Sequence, residues 1–178
     1  SKSSIESIKI PPSVKTIGEQ SFASCRFLKQ IEIPIDSELQ IIGNSAFIDS
    51  SITSISLPVH LKKIDKCAFY SCKNLKTVTI PKNSELQEIG ENTFGNSSIR
   101  ELKIPSQVTE IKSGTFSFCK ELQAVYFSSD SKLKTIGNMS FISSSIEIFT
   151  VPQHVTIIGD SAFEQCNKLV HLTIPQNS

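Results

Sequence analysis

Five cysteines and three histidines are the residues of this 178-residue chain best suited to chemistry, and their spacing argues against most of it. Cys25, Cys72, Cys119 and Cys166 stand 47 residues apart. In a stack of turns that separation corresponds to two turns, about 10 Å. A disulfide requires Cα atoms closer than about 7 Å, so the column does not pair with itself. Tetrahedral zinc fails on the same distance, and no Cys-x-x-Cys pair is present to hold it. The expected role is a small buried side chain whose S–H bonds to a backbone carbonyl. Cys67 lies off the column, two residues before Phe69. It is expected to be partly exposed, with nothing nearby in sequence to activate it.

His60 and His154 hold equivalent places two of these 47-residue units apart, too far to share a metal ion. His171 has no carboxylate or nucleophile in its own segment. All three are expected on the solvated surface. Ser, His and Asp all occur, but a triad is a spatial arrangement and the presence of the three types carries no weight. No catalytic residue, cofactor site or metal site is therefore assigned. Two Asn-x-Ser sequons, Asn96-Ser97-Ser98 and Asn138-Met139-Ser140, fall on expected turns. They would be accessible to glycosylation in a eukaryotic secretory pathway.

A net charge of +1 with 20% charged residues implies neither nucleic acid nor a membrane surface as partner. No apolar run approaches the roughly 20 residues of a spanning helix. Ser1-Lys2-Ser3-Ser4 runs straight into patterned sequence without a signal peptide, which predicts a fragment of a longer chain.

What must position these residues is a repeat. Leu-x-x-Ile-x-Ile-Pro recurs with its first apolar residue at Ile5, Leu28, Ile52, Leu75, Ile99, Leu122, Ile146 and Leu169. This predicts one domain over 1–178, with seven full repeats and a partial eighth. The spacing alternates between 23 and 24, so the unit is a 47-residue pair. The shorter turn closes with Cys. The longer closes with Ser50, Ser97 or Ser144 and carries extra polar residues, as in Asp36-Ser37-Glu38 and Asn83-Ser84-Glu85.

Within each turn, the fourth and sixth residues of the motif share one strand face and the third and fifth face outward. Pro11, Pro34, Pro58, Pro81, Pro105, Pro152 and Pro175 end the strands, since proline cannot donate to a ladder. A second short extended segment follows, as at Val14/Ile17. Gly18, Gly43, Gly90, Gly137 and Gly159 are expected at a bend requiring φ > 0, with Asp65 a tolerable substitute and Lys112 an awkward one. Phe22, Phe47, Phe69, Phe94, Phe116, Phe141 and Phe163 are expected to stack as a spine on a single helical or 3₁₀ turn. One repeat cannot bury these groups; stacked neighbours make a continuous core.

The consensus Leu-x-x-Ile-x-Ile-Pro-x-x-Val-x-x-Ile-Gly-x-x-Ala-Phe-x-x-Cys resembles the BspA-like, or treponemal-type, leucine-rich repeats. Leu75–Pro81 and Ile158–Cys166 match it best. The resemblance covers essentially the whole chain. It implies a leucine-rich-repeat solenoid: a right-handed superhelix, α/β in class but strand-dominated, with a parallel sheet on its concave face. It further implies a non-catalytic protein-binding module of cell-surface adhesins of mucosal bacteria and parasitic protists, contacting host or matrix proteins such as fibronectin.

The outward strand positions are mostly small and polar. Ala124, Tyr126 and Ile148 break that rule and are expected side by side on the concave face, with Glu101, Lys103 and His171 around them. An aromatic anchor rimmed by polar groups suits a protein-binding surface. The alternative is that Tyr126 merely covers Ile148 and stabilises the sheet. The leading functional expectation is a secreted or surface-exposed interaction module. An intracellular scaffold of the same fold is the alternative, because unpaired cysteines also suit a reducing compartment. Weak self-association through an uncovered end at Leu169, Leu172 and Ile174 is also expected.

Overall fold

A computed structural model describes residues 4–175; readings that rest on Ser1 to Ser3 lie outside the described residues. The chain is a solenoid of parallel strands with two strand series. The longer series comprises β1 (Ser7–Lys9), β3 (Gln30–Glu32), β5 (Ser54–Ser56), β7 (Thr77–Thr79), β9 (Glu101–Ile104), β11 (Ala124–Phe127), β13 (Ile148–Thr150) and β15 (His171–Thr173). The shorter series comprises β2 (Thr16–Ile17), β4 (Ile41–Ile42), β6 (Lys63–Ile64), β8 (Glu88–Ile89), β10 (Glu110–Ile111), β12 (Thr135–Ile136) and β14 (Ile157–Ile158). Every strand pair is parallel and in the register set by the motif, as in Ile8 opposite Ile31 and Ile55 opposite Val78.

The phenylalanine column stacks as expected. Ring centroids from Phe22 through Phe163 lie 5.2–5.8 Å apart with nearly parallel planes. Phe47, Phe69, Phe94, Phe116 and Phe141 are completely buried. Offset stacking at this spacing is favourable beyond the apolar area it removes from water.

Two expectations about the return segment are corrected. Among the described residues there is no helix, α or 3₁₀. A third hydrogen-bonded ladder takes its place, built from alternate residues. The N–H groups of Gln20, Phe22 and Ser24 donate to the carbonyls of Asn44, Ala46 and Ile48 in the next turn, at 2.7–3.0 Å. The intervening Ser21, Ala23 and Cys25 donate within their own turn, three residues back. A helix would keep all these donors inside one turn; the observed pattern spends half of them on joining turns, leaving none orphaned.

The glycine column has a different cause from the one expected. Gly18, Gly43, Gly90, Gly137 and Gly159 do not have positive φ. A Cβ on Gly90 would lie 2.5 Å from the Asp65 carbonyl carbon, and one on Gly137 would lie 2.8 Å from the Ile111 oxygen. At Gly43, Gly90, Gly137 and Gly159 it is the close backbone of the preceding turn that leaves no room for a Cβ, whereas at Gly18 the nearest atom is the Ser21 hydroxyl of its own turn. Left-handed residues occur two and six places later, as at Gln20 and Ser24, or Asp49 six places beyond Gly43. The fifth turn has Lys112 in the close-approach column and its glycine, Gly114 (φ 63°), at the left-handed place. Neither Asp65 nor Lys112 is left-handed, so the conformational objection to Lys112 falls.

The long-strand series is not one continuous sheet. It pairs as β1 with β3, β5 with β7, β9 with β11 and β13 with β15, giving four two-stranded ribbons. Each ribbon is one 47-residue unit, so the alternation of lengths read from the sequence is a physical unit of pairing.

Candidate functional site

The boundaries between ribbons open as clefts on the long-strand face. The β3/β5 boundary has a cleft of about 530 Å³ and the β7/β9 boundary one of about 450 Å³. At β11/β13 the volume is about 910 Å³. There the turns touch through Glu147 N–H and Gln123 C=O, at 3.3 Å, without strand pairing.

Bulky side chains set the size of this third cleft. The inward fourth position of the motif is aliphatic at Ile8, Ile31, Ile55, Val78, Leu102, Val125 and Leu172, but Phe at 149. Phe149 is fully buried and meets Phe127, Phe141 and Phe163 edge-on at 5.7, 5.1 and 5.0 Å. Phe127 and Ser128 stand where other turns have an aliphatic residue and Pro. Edge-on rings need more room than the aliphatic pairs beneath the other two unpaired boundaries, which accords with the larger cleft here.

Of the residues singled out in the sequence, Ala124, Tyr126 and Ile148 all line this cleft. Tyr126 is 51% exposed and Ile148 56%, so neither is consumed in covering the other. Glu101 and Lys103 line the smaller neighbouring cleft instead, with Tyr126 shared between the two. Lys103 is the register partner of Tyr126 and Glu101 that of Ala124. His171 pairs with Ile148 on the far side and does not line the large cleft. Sequence reasoning missed Phe127, Pro152, His154 and Pro175, which also line it. The available signal was Phe127-Ser128, the one strand end without proline.

The thiols behave as structural groups. Cys72, Cys119 and Cys166 donate S–H to the carbonyls of Phe47, Phe94 and Phe141, each at 3.0 Å. Burial pushes the Cys72 and Cys119 thiols up to about 11. Cys67 is half-buried and desolvation raises its pKa too, so its thiolate is disfavoured. Among the described residues no group of three His, Cys, Asp or Glu could hold a metal ion. His60 is not simply solvated: its Nδ1 lies 2.9 Å from Glu85 Oε1 of the next turn. Beside the large cleft, the Asp130 carboxyl is held below its usual range, chiefly by the Ser128 hydroxyl.

The sequons are less open than expected. Asn96 is half-buried and donates to Ser71 Oγ at 2.8 Å. Asn138 is exposed, but its Oδ1 accepts the Asp160 N–H at 3.0 Å, and Ser140 is completely buried.

Parallel ribbons, a phenylalanine spine and clefts on a polar strand face define a leucine-rich-repeat solenoid, a fold whose family is typically non-catalytic and binds proteins. The sequence matches the BspA type leucine rich repeat region, in 6 copies over residues 1–123 and 87–178, and the chain belongs to that family. A leucine rich cell surface protein of Faecalibacterium prausnitzii has a similar structure, with TM-score 0.84 and 24% identity over 98% of this chain and 51% of that one. The pneumococcal vaccine antigen PcpA gives TM-score 0.73 and 24% identity, over 97% and 51%. A leucine rich repeat protein of T. pallidum gives 0.71 and 25%, over 96% and 71%. The chain thus spans about half the length of the first two. No curated protein sequence matches it.

Proposed function

We propose that this chain is a single protein-binding repeat domain of a cell-surface adhesin, and that it contacts a host or matrix protein through the β11/β13 cleft. The observation that carries the reading is the cleft itself. It joins an exposed tyrosine and isoleucine to Phe127 on a face that is mostly small and polar. Interfaces concentrate their energy in such central aromatic and aliphatic anchors with a polar surround. The surface location is supported by the descriptions of the F. prausnitzii protein and the pneumococcal antigen as a cell surface protein and a vaccine antigen.

The test is capture from host extracellular-matrix extract by the immobilised chain. The comparison is Tyr126→Ala with Ile148→Ser, and a Ser54→Ala with Thr77→Ala control on the second ribbon. Loss of capture in the first variant alone supports the reading. Capture that survives it sinks the cleft as the contact site.

A second reading, an intracellular scaffold of the same fold, is favoured by the free thiols of all five cysteines. A secretion signal or surface anchor in the flanking gene sequence decides against it. Exposed Val170, Leu172 and Ile174 on the last turn also suit weak self-association. Sedimentation giving a strict monomer at high concentration counts against that.

A further inference from the structure

We propose that the junction between the fourth and fifth turns is a hinge, dividing the solenoid into blocks of residues 4–98 and 99–175. Three seams hold consecutive turns together: the long strands, the short strands and the return ladder. The long-strand seam is open at three junctions, but the short-strand seam is open at one. Short strands run unbroken as β2-β4-β6-β8 and again as β10-β12-β14, with no pairing between β8 and β10. At the two equivalent junctions the rungs are present. Lys62 and Asp65 donate to Gln40 and Ile42 at 2.9 and 2.8 Å; Thr156 and Gly159 donate to Lys134 and Ile136 at 2.9 and 2.7 Å. Thr109 and Lys112, the corresponding donors here, have no such bond among the described residues.

The side chains explain the gap. The register that puts Ile41 opposite Lys63, and Thr135 opposite Ile157, would put Glu88 directly opposite Glu110. Like charges across a parallel rung are destabilising. Glu88 is satisfied by other partners: Lys63 Nζ at 3.5 Å on one side and Lys112 Nζ at 2.5 Å on the other. A side-chain tether therefore spans the place where two backbone rungs should be.

Among the described residues the return ladder is the one backbone seam that stays paired here, through Asn92 to Ser113, Phe94 to Thr115 and Asn96 to Ser117 at 2.7–3.0 Å. The Cys119 thiol on Phe94 C=O reinforces that same edge, and the long-strand side keeps a single long contact, Arg100 N–H to Lys76 C=O at 3.4 Å. Phe94 and Phe116 there have the widest spacing of the spine, 5.8 Å. A body whose backbone is fastened chiefly along one of three edges turns about that edge. The line lies beneath the cleft that carries Glu101, Lys103 and Tyr126. Turning would tune the distance between the Ser/Thr ribbon β5-β7 and Tyr126, and so fit the strand face to partners of different curvature. That consequence rests on the binding reading; the hinge does not.

Amide hydrogen exchange on the unmodified chain tests it without a partner. The Thr109 and Lys112 amides should exchange at least 10-fold faster than those of Lys62, Asp65, Thr156 and Gly159. Glu110→Lys, which sets a cation opposite Glu88, should slow both at least 10-fold. Glu110→Thr removes the repulsion alone and should slow them less. Protection of the Phe94 and Asn96 amides verifies that each variant is folded. Seam amides as slow as their counterparts in the unmodified chain, or unaltered by both substitutions, overturn the hinge.

Discussion

The Cys72 thiol donates to the Phe47 carbonyl across a turn boundary, 3.0 Å away, and so closes a small ring with Ser50. The Ser50 N–H bonds the same carbonyl at 3.1 Å, and the Ser50 hydroxyl lies 3.4 Å from the sulfur. A thiol has one proton; with that directed at Phe47, the sulfur accepts from the hydroxyl. The ring recurs at Phe94/Ser97/Cys119 and at Phe141/Ser144/Cys166. These are the three junctions at which the long strands fail to pair. Alternation of Ser-closed and Cys-closed turns thus supplies a thiol staple wherever a ribbon boundary falls. Cys119→Val removes both donor and acceptor and should lower stability by about 2 kcal/mol. Cys119→Ser keeps both and should cost less than half as much. Urea unfolding midpoints of the two variants distinguish the staple from simple space filling.

Alkaline pH provides an independent test of the same thiols. Burial raises Cys72 and Cys119 from an ordinary 9.0 to about 11. The folded chain therefore holds protons that the unfolded chain releases, and stability falls as pH rises from about 9 to about 11. The loss is roughly 3 kcal/mol per thiol once both states are ionised. Stability should be flat with respect to these groups below pH 8. A Cys72→Ser, Cys119→Ser double variant should lose most of the decline between pH 9 and 11, measured by urea midpoint against pH.

Two glycines of one column should respond unequally to the same change. A Cβ at position 90 meets Asp65 and Lys66 backbone at 2.5 Å, whereas at position 18 the nearest atom is the Ser21 hydroxyl at 3.3 Å. Gly90→Ala forces two turns apart and should cost about 1–3 kcal/mol. Gly18→Ala has no turn beneath it among the described residues and should stay within about 0.5 kcal/mol of the parent. Thermal melts of the two variants check the contrast. Equal effects would mean that conformational freedom, not close approach, explains the column.

The parts legible in the sequence were those enforced by repetition. A side chain recurring once per turn must stack on itself, which is why the Phe spine, the 47-residue unit and the thiol–carbonyl bond were readable. The return segment was not. Gln20, Phe118, Met139 and Gln165 take positive φ without any residue preference for it, at the places where the ladder between turns runs. The glycines drew attention to the wrong dihedral for the same reason. At the candidate site, half-buried Ala124 and exposed Tyr126 and Ile148 were legible as a break in polarity. The cleft was not, because whether neighbouring strands pair depends on how two turns seat together, and no single repeat encodes that. Glu101, Lys103 and His171 were near in sequence column yet fall outside the large cleft for this reason.

Phe149 is where that seating can be altered. Leucine occupies the same column at Leu102 and Leu172, so Phe149→Leu suits the turn while removing three edge-on ring contacts at 5.0–5.7 Å. The lost contacts and incomplete collapse should cost about 1–2 kcal/mol. Relaxation should bring β11 toward β13 and narrow the cleft between them. The amide of Glu147, whose bond to Gln123 is a long 3.3 Å, should then exchange more slowly even though the protein as a whole is less stable. Local protection rising while global stability falls is a combination that simple destabilisation does not produce. If the Glu147 amide instead exchanges faster, the aromatic floor is not what holds the two strands apart.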